Sequence, residues 1–318
     1  MNTHMDQTHK DWLSKTYGSH VRFKEPMSRH TSLGVGGPAD VYVAPPDRTG
    51  LVLLIRWLQE NSLPYFIIGN GTNLLVLDQG IRGIVISMKH CLKDIHHTVL
   101  DKQTVMITSG SGARLNTLCK YASGYGFKGI NFALGIPATV GGAIVMNAGT
   151  DQGSMADIVT AVVILSPDGE LRRIERDDLM FHYRGLEWNG IPGRSGMSNP
   201  IIIEGEFRLS MADKGDIQTQ AQAILQKRST TQPLHQRSAG CFFKNPATGK
   251  SAGELIDLAG LKGKQIGDAQ VSNRHANFII NKNRASAADI LELKTIIQET
   301  VLKSFNIMLE PEVKIVGT

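Results

Sequence analysis

The chain has 318 residues, of which 41% are hydrophobic and 20% are charged, and its formal net charge is +5. This length exceeds one ordinary core, and the composition is that of a globular protein, which excludes disordered and fibrous classes. The longest apolar run, from Leu51 to Leu58, is interrupted by Arg56, so we expect no membrane span and no membrane partner.

Composition also narrows the sites and partners. The start, Met1 to Lys10, has no apolar stretch, so no secretory signal is expected and a cytoplasmic protein is predicted.

Three cysteines, Cys91, Cys119 and Cys241, are widely spaced along the chain, and this odd number and spacing argue against disulfides. No histidine spacing is typical of a metal site. Basic residues are scattered, which disfavours a nucleic-acid partner. A monomer is favoured, without a decisive signal.

The first third of the chain alternates strand and helix patterns. Residues 1–20 show no apolar period and predict a flexible segment, whereas residues 39–43 predict a strand. The apolar face of residues 47–61 predicts a helix, and short strands are predicted over 64–68 and 83–87.

The middle third predicts strands over 104–108, 158–165 and 201–209, with a helix that contains Leu115 and Leu118 after the first of them. Its segment between 183 and 200 contains Gly, Pro and Ser and predicts a loop.

The last third predicts helices over 213–228, 251–261 and 286–305, with strands over 278–280 and 312–316. Ser286 and Asp289 form an S-x-x-D capping box at the start of the third helix. We place domain boundaries so that the segments are 1–20, 21–95, 96–212 and 213–318.

Three glycine-rich turns follow apolar segments: Gly69-Asn70-Gly71, Gly110-Ser111-Gly112 and Gly135 to Gly142. Glycine lets backbone N–H groups turn inward and lets a pyrophosphate approach. Each turn alone is better explained as a tight turn, but three of them together favour a dinucleotide. The Rossmann fingerprint fails because Leu74 and Leu115 replace its third glycine.

Cys241 stands in a run of small residues and is followed by Lys244 and Asn245. A thiol with a reference pKa of about 8.5 is mostly protonated at neutral pH and can donate a proton. A lone cysteine is more often a small buried hydrophobe, and Arg184, Glu312 and His275 are weak signals individually.

The ordered set of these motifs closely resembles the UDP-N-acetylenolpyruvoylglucosamine reductase (UDP-N-acetylmuramate dehydrogenase, MurB) family, from about Arg29 to Gly317. The segments that carry the resemblance are Ile68 to Leu75, Gly135 to Ala143, Tyr183-Arg184, Ala239 to Pro246 and Leu309 to Val313.

The resemblance implies an α+β fold with a two-part FAD-binding module of the vanillyl-alcohol-oxidase (PCMH) type, over 21–95 and 96–212. It adds a smaller α/β substrate-binding domain over 213–318, whose C-terminal strand returns to the active site. It implies that NADPH reduces non-covalently bound FAD, and that the enolpyruvyl ether of UDP-N-acetylglucosamine is then reduced to UDP-N-acetylmuramate for peptidoglycan.

The same resemblance assigns roles by position. Cys241 matches the proton donor, and Arg184 and Glu312 match the other catalytic positions, while Tyr183, Lys244, Asn245 and His275 match substrate-binding positions. The flavin-binding positions implied are Gly69, Asn70, Gly71, Thr72, Asn73, Gly135, Ile136, Pro137, Ala138, Thr139, Gly141 and Gly142.

Two positions depart from the family pattern. Gly34 stands where many members have arginine, and Leu186 stands where many have serine, but neither change removes a proposed catalytic group. Two alternatives remain: another FAD-dependent oxidase or dehydrogenase on the same fold, and a non-catalytic nucleotide- or RNA-binding protein.

Overall fold

The computed structural model describes residues 5–166, 168–188, 200–247 and 249–318. The helices are α1 (Gln7–Tyr17), α2 (Arg48–Glu60), α3 (Leu115–Tyr125), α4 (Val140–Val145), α5 (Lys214–Thr231), α6 (Ala252–Leu258) and α7 (Ala287–Phe305). The strands of the first half are β1 (Val21–Pro26), β2 (Pro38–Val43), β3 (Tyr65–Ile68), β4 (Leu74–Val76), β5 (Ile81–Ser87), β6 (Ile95–Val99), β7 (Thr104–Gly110), β8 (Phe127–Lys128), β9 (Gly149–Thr150) and β10 (Gly153–Ser154). Those of the second half are β11 (Val159–Leu165), β12 (Leu171–Glu175), β13 (Leu179–His182), β14 (Gly185–Trp188), β15 (Ile201–Met211), β16 (Arg237–Ser238), β17 (Gln265–Ile266), β18 (Ala269–Val271), β19 (Ile279–Asn281) and β20 (Lys314–Val316).

The chain divides into two compact units, each made of three segments. The first unit comprises Met1–Phe23, Val41–Asn70 and Gly83–Gln226, and the second comprises Lys24–Asp40, Gly71–Arg82 and Lys227–Thr318. Helices and mainly antiparallel sheets occur together, so the predicted α+β class is confirmed.

A sheet of strand order β12-β11-β15-β7-β6 organises the first unit. Its long central strand β15 alternates buried and less buried positions where it pairs with β7, as a strand with one covered face should. Phe207 of β15 is fully buried in a core to which α3 contributes Leu115 and Leu118 and α4 contributes Ile144. This sheet therefore supports the segments that precede and contain α4.

The N-terminal helix α1 corrects the prediction of a flexible segment over 1–20. Asp6 caps α1 in a reciprocal arrangement with His9, and Leu13 is fully buried. Trp12 stacks on Trp57 of α2 with ring centroids 4.1 Å apart. The few apolar residues of this polar stretch lie on one helix face and find partners on α2, and only the folded chain shows that contact.

The second unit has a sheet of order β16-β19-β18-β17, with α7 packed on it, and a parallel pair of β4 and β20. The predicted capping box of α7 is confirmed, because Ser286 and Asp289 each accept from the other's backbone N–H. Asp78 adds two bonds, to the N–H groups of Ala287 at 2.8 Å and Ala288 at 3.0 Å.

The two units are discontinuous in sequence, whereas the predicted domains are contiguous. Leu33, Val35 and Leu75 belong to the same core as Phe242 and Phe243, and Leu74 pairs with Lys314. The predicted segment 21–95 is therefore divided between the units, because its apolar side chains have their partners near the C-terminus.

The longer predicted elements are confirmed, including α2 within 47–61 and α7 within 286–305. The predicted loop over 183–200 is wrong at its start, because β14 pairs with β13 in a hairpin. The rest of that prediction, residues 189–199, lies outside the described residues. Within the described ranges, no helix combines the length and apolarity that crossing a membrane requires.

Candidate active site

The glycine-rich segment of the first unit forms a loop and the start of α4. Thr139 is the N-cap of α4, and its Oγ1 accepts a hydrogen bond from Gly142 N at 3.3 Å. Gly141 N donates to Ser111 O at 2.8 Å. A Cβ on Gly141 would lie 2.8 Å from Ser111 Cβ, so the two backbone segments can meet only at glycine.

The turn after β3 lies against this loop. Asn70 Nδ2 donates to Pro137 O at 2.9 Å, and a Cβ on Gly69 would overlap Thr139 Oγ1. Gly69-Asn70, Ser111 and residues 135–142 come from three parts of the sequence and together form what we call the cradle.

The turn after β3 continues from Gly71 to Asn73, and these residues belong to the second unit. Gly71 has φ +64° and accepts a hydrogen bond from Ser32 N at 3.0 Å. Asn73 Nδ2 donates to Glu312 O at 3.1 Å, and Thr72 between them is half-buried. The predicted flavin-binding turn is thus joined directly to the backbone of the predicted catalytic glutamate.

Cys241 is half-buried and begins a segment that pairs with the predicted C-terminal motif. Phe243 and Pro311 form an antiparallel bridge, and Glu312 N donates to the carbonyl oxygen of Phe242 at 2.8 Å. Phe242 and Phe243 are both buried and anchor the segment in the core. Two motifs about seventy residues apart are therefore neighbours in the second unit.

Asn277 holds the same segment from its other side. Its side chain accepts from Phe243 N at 2.9 Å and donates to Phe243 O at 2.8 Å, and its own carbonyl accepts from Phe242 N at 2.7 Å. Because the amide is only 2% exposed and both of its polar atoms are bonded, it fixes the backbone next to Cys241.

A guanidinium lies close enough to Cys241 for the two charges to interact. Burial lowers the pKa of Arg228, on α5, and the Cys241 sulfur acts in the opposite sense. A guanidinium stays charged in proteins, and a neighbouring cation favours the thiolate that remains when a cysteine gives up its proton.

The predicted substrate-binding residues of the second unit make the following contacts. Lys244 Nζ lies 3.3 Å from the Glu310 carboxylate, and Asn245 Oδ1 accepts from the N–H of Ala252, the first residue of α6, at 3.1 Å. Burial, and secondarily Lys262, lower the pKa of His275, which favours its neutral ring.

The Tyr183-Arg184 pair forms the two-residue turn between β13 and β14, since His182 pairs with Gly185. Arg184 has φ +62°, and its Cζ lies 4.9 Å from the centre of the Tyr183 ring. Asn147 Nδ2 donates to His182 O at 3.0 Å and fastens this hairpin to the segment after α4.

The predicted site residues are divided between the two units. The first unit holds Gly69, Asn70, Gly135, Ile136, Pro137, Ala138, Thr139, Gly141, Gly142, Tyr183 and Arg184, and the second holds Gly71, Thr72, Asn73, Cys241, Lys244, Asn245, His275 and Glu312. Sequence reasoning missed Arg228 and Asn277, which carry no motif of their own. Asn147 ends the glycine-rich segment and Ser111 stands in a singled-out turn, but sequence reasoning assigned neither of them a role.

Comparison with known proteins identifies the class first. A model of the FAD-binding domain matches residues 39–175, and a model of the UDP-N-acetylenolpyruvoylglucosamine reductase C-terminal domain matches residues 232–316. The chain therefore contains an FAD-binding domain of the predicted class.

Individual relatives narrow this class to a family. UDP-N-acetylenolpyruvoylglucosamine reductase of Desulfosudis oleivorans is 44% identical over 317 residues, covering 98% of this chain and 100% of the relative. The reductase of the same name from Agathobacter rectalis is 43% identical over 300 residues, covering 92% of this chain and 93% of the relative. The crystal structure of UDP-N-acetylenolpyruvylglucosamine reductase from Thermus caldophilus has a TM-score of 0.74 at 34% identity, covering 93% of this chain and 98% of that one. The chain belongs to the UDP-N-acetylenolpyruvoylglucosamine reductase family.

The residues of the cradle fit a bound flavin nucleotide. Asn70 Oδ1 and Ser111 Oγ are buried and have no hydrogen-bond partner among the described residues, which is costly unless a ligand supplies one. Gly69 and Gly141 leave no room for a side chain. Buried polar atoms that lack partners, next to glycine backbone without side chains, are the features expected where a polar, flat ligand binds closely.

Proposed function

We propose that the chain catalyses the FAD-dependent reduction of UDP-N-acetylglucosamine enolpyruvate to UDP-N-acetylmuramate, with NADPH as reductant, in peptidoglycan precursor synthesis. The observation that carries this proposal is the antiparallel pairing of the Cys241 segment with the Glu312 segment, in a chain similar to reductases of that name over its whole length. The cradle is the proposed flavin site, with Asn70 and Ser111 as its polar contacts.

Bound FAD supplies the hydride that the enolpyruvyl double bond receives. Arg184 then stabilises the negative charge that develops on the substrate carboxylate, an effect commonly worth a few kcal/mol. Its planar fork suits a carboxylate better than a lysine would.

Cys241 delivers the proton that completes the reduction. A positioned general acid contributes about two to four orders of magnitude in rate. The charge of Arg228, which interacts with Cys241, stabilises the thiolate left behind, and the pairing and Asn277 bonds hold the backbone in place while the proton moves. Glu312, through a proton that it carries or through a bound water, shares the charge of the substrate carboxylate.

Lys244, Asn245, Tyr183 and His275 are proposed to bind the UDP-sugar. Lys244 and the guanidinium of Arg184 supply positive charge for an anionic substrate, and neutral His275 offers an N–H donor. Because free thiols suit a reducing compartment, we also propose that the protein works in the cytoplasm.

A flavin titration tests this function. The purified protein should be yellow, should bleach when NADPH is added, and should regain its colour when the enolpyruvyl substrate follows. Acid precipitation should release the flavin, which separates this proposal from an oxidase with tethered FAD. A colourless protein that cannot be reconstituted with FAD would refute it.

Variants at the proton donor sharpen the test. Cys241→Ala should keep FAD and its reduction by NADPH but lose turnover by about a hundredfold or more, whereas Cys241→Ser should retain much more activity because a hydroxyl can still donate. Normal turnover by Cys241→Ala would refute the assigned role. Cys91→Ala is the matched control, since Cys91 is a fully buried thiol.

A further inference from the structure

Arg184 stands where a side chain is usually poorly fixed. The ladder of β13 and β14 ends at His182 and Gly185, so Tyr183 and Arg184 form an exposed tip, and Tyr183 is 55% exposed. Arg184 also has φ +62°, a conformation that costs a non-glycine residue on the order of 1 kcal/mol. A strained tip persists only where its surroundings hold it.

Asn147 supplies such a restraint. Its Nδ2 donates to the carbonyl oxygen of His182 at 3.0 Å, one residue before the turn begins. Its Oδ1 accepts from Ala156 N at 3.0 Å, so both ends of the amide are engaged and its orientation is determined. The side chain therefore links the hairpin to a second backbone segment.

The backbone of Asn147 is itself strained. It has φ +40°, a region that asparagine adopts more readily than most residues but that still favours glycine. Its N–H donates to Ile144 O at 3.0 Å, which closes the turn at the end of α4. A residue that only had to close this turn would be glycine without penalty, so the asparagine side chain needs its own explanation.

The short helix α4 connects this restraint to the cradle. Thr139, whose hydroxyl caps the first turn of α4, belongs to the cradle, and Asn147 lies two residues beyond the last residue of the same helix. Six helical residues span only about 9 Å. The distance between the proposed flavin site and the hairpin is thus set by one rigid element.

We propose that Asn147 is a positioning residue that holds the Arg184 hairpin at a set distance from the flavin cradle. This inference rests on the proposed function, because it takes Arg184 to be the group that stabilises the substrate carboxylate. Asn147 touches neither substrate nor cofactor in this assignment and acts through Arg184. A misplacement of about 1 Å at such a group costs about a hundredfold in rate.

Two substitutions at Asn147 separate the contribution of its side-chain hydrogen bonds from that of its backbone strain. Asn147→Gly adopts the left-handed backbone without strain but loses both side-chain bonds, and Asn147→Asp keeps the acceptor for Ala156 N while losing the donor to His182 O. Asn61→Asp is the matched control, because Asn61 Nδ2 also donates to a backbone carbonyl, that of Trp57, at 2.7 Å and lies outside the candidate site.

The first measurement is amide hydrogen exchange, which does not depend on activity. In the FAD-bound protein, both Asn147 variants should raise the amide exchange rates of residues 179–188 at least tenfold, while the rates in α2 and α7 stay unchanged. The control Asn61→Asp should leave the rates of residues 179–188 as in the wild type. Unchanged exchange in 179–188 would overturn the inference whatever the kinetics show.

The second measurement is steady-state kinetics in a double-mutant cycle. Asn147→Gly should lower kcat about ten- to a hundredfold, with FAD affinity and the rate of flavin reduction by NADPH within twofold of wild type. In an Arg184→Ala background the same change should have less than a twofold effect, since its target is gone. Additive losses would overturn the inference. A wild type that binds FAD but does not turn over the enolpyruvyl substrate would instead refute the proposed function, and exchange would still decide whether Asn147 holds the hairpin.

Discussion

Replacing Gly69 by alanine tests the cradle at its tightest contact. Gly69 is not among the residues with a left-handed backbone, so alanine can adopt its conformation, and only space opposes the new methyl group. That methyl would overlap Thr139 Oγ1, while Thr139 Cγ2 and Cβ, at 3.3 and 3.4 Å, would be close contacts that a shift of a few tenths of an ångström relieves. The conflict therefore lies with one oxygen atom.

The size of the effect follows from what that oxygen does. Thr139 is 2% exposed, so its side chain cannot rotate into solvent, and moving Oγ1 breaks the N-cap bond to Gly142. Loss of an N-cap costs about 1 kcal/mol, and overpacking a buried site costs about 1–3 kcal/mol more. We expect Gly69→Ala to lower the free energy of unfolding by about 2–4 kcal/mol and to weaken FAD binding at least tenfold.

Removing the Thr139 hydroxyl should relieve the overlap that Gly69→Ala creates. Thr139→Ala alone should cost about 1 kcal/mol for the lost cap, and the double variant Gly69→Ala/Thr139→Ala should cost about the same, because the overlapping atom is gone. Urea denaturation of the apoprotein and quenching of flavin fluorescence measure both quantities. Gly124→Ala is the control, since nothing lies within 4 Å of its Cβ, and it should be neutral or stabilising in α3. Losses in the double variant that equal the sum of the single ones would refute the contact.

Two further predictions concern the thiols and the cap of α7. Burial raises the pKa of Cys91 to about 11 and that of Cys119 to about 12. At pH 8, therefore, only Cys241 should react quickly with a disulfide reagent, and Cys241→Ser should abolish the fast reaction. A second fast-reacting thiol in the native protein would contradict this prediction. Asp78→Asn should lower the free energy of unfolding in urea by about 1–2 kcal/mol, because both carboxylate oxygens of Asp78 accept hydrogen bonds from the first turn of α7. Asp257→Asn, which removes an exposed ion pair, is the control and should change this free energy by less than about 1 kcal/mol. Equal effects of the two substitutions would refute the capping role.

Periodic elements and ordered motifs could be predicted because their signals are local. The apolar face of α2 and the capping box of α7 lie within a few residues of sequence, and both helices form where predicted. The segments around Gly69, Gly135, Cys241 and Glu312 indicated the family because each keeps its residue types in order. The helix α1 was missed because its buried face, around Leu13, is too short to show a period in a polar stretch.

The division into units could not be predicted in the same way. A pattern of apolar residues shows that a face is buried but does not show which element covers it. Leu75 packs with Phe242, and Leu74 pairs with Lys314, so a segment near residue 75 belongs with the C-terminal part of the chain. Such pairings depend on the energy of the whole core, which no local window contains.

The sequence by itself determined the residue types that can do the chemistry: a thiol, a guanidinium, a carboxyl group and glycines that let backbone approach a flat ligand. Only the tertiary structure decided which groups support them, as Asn147 does for the Arg184 hairpin and Asn277 for the Cys241 segment. A buried amide has no signature along the chain, because its role is defined by the backbone atoms it meets, and those come from segments distant in sequence.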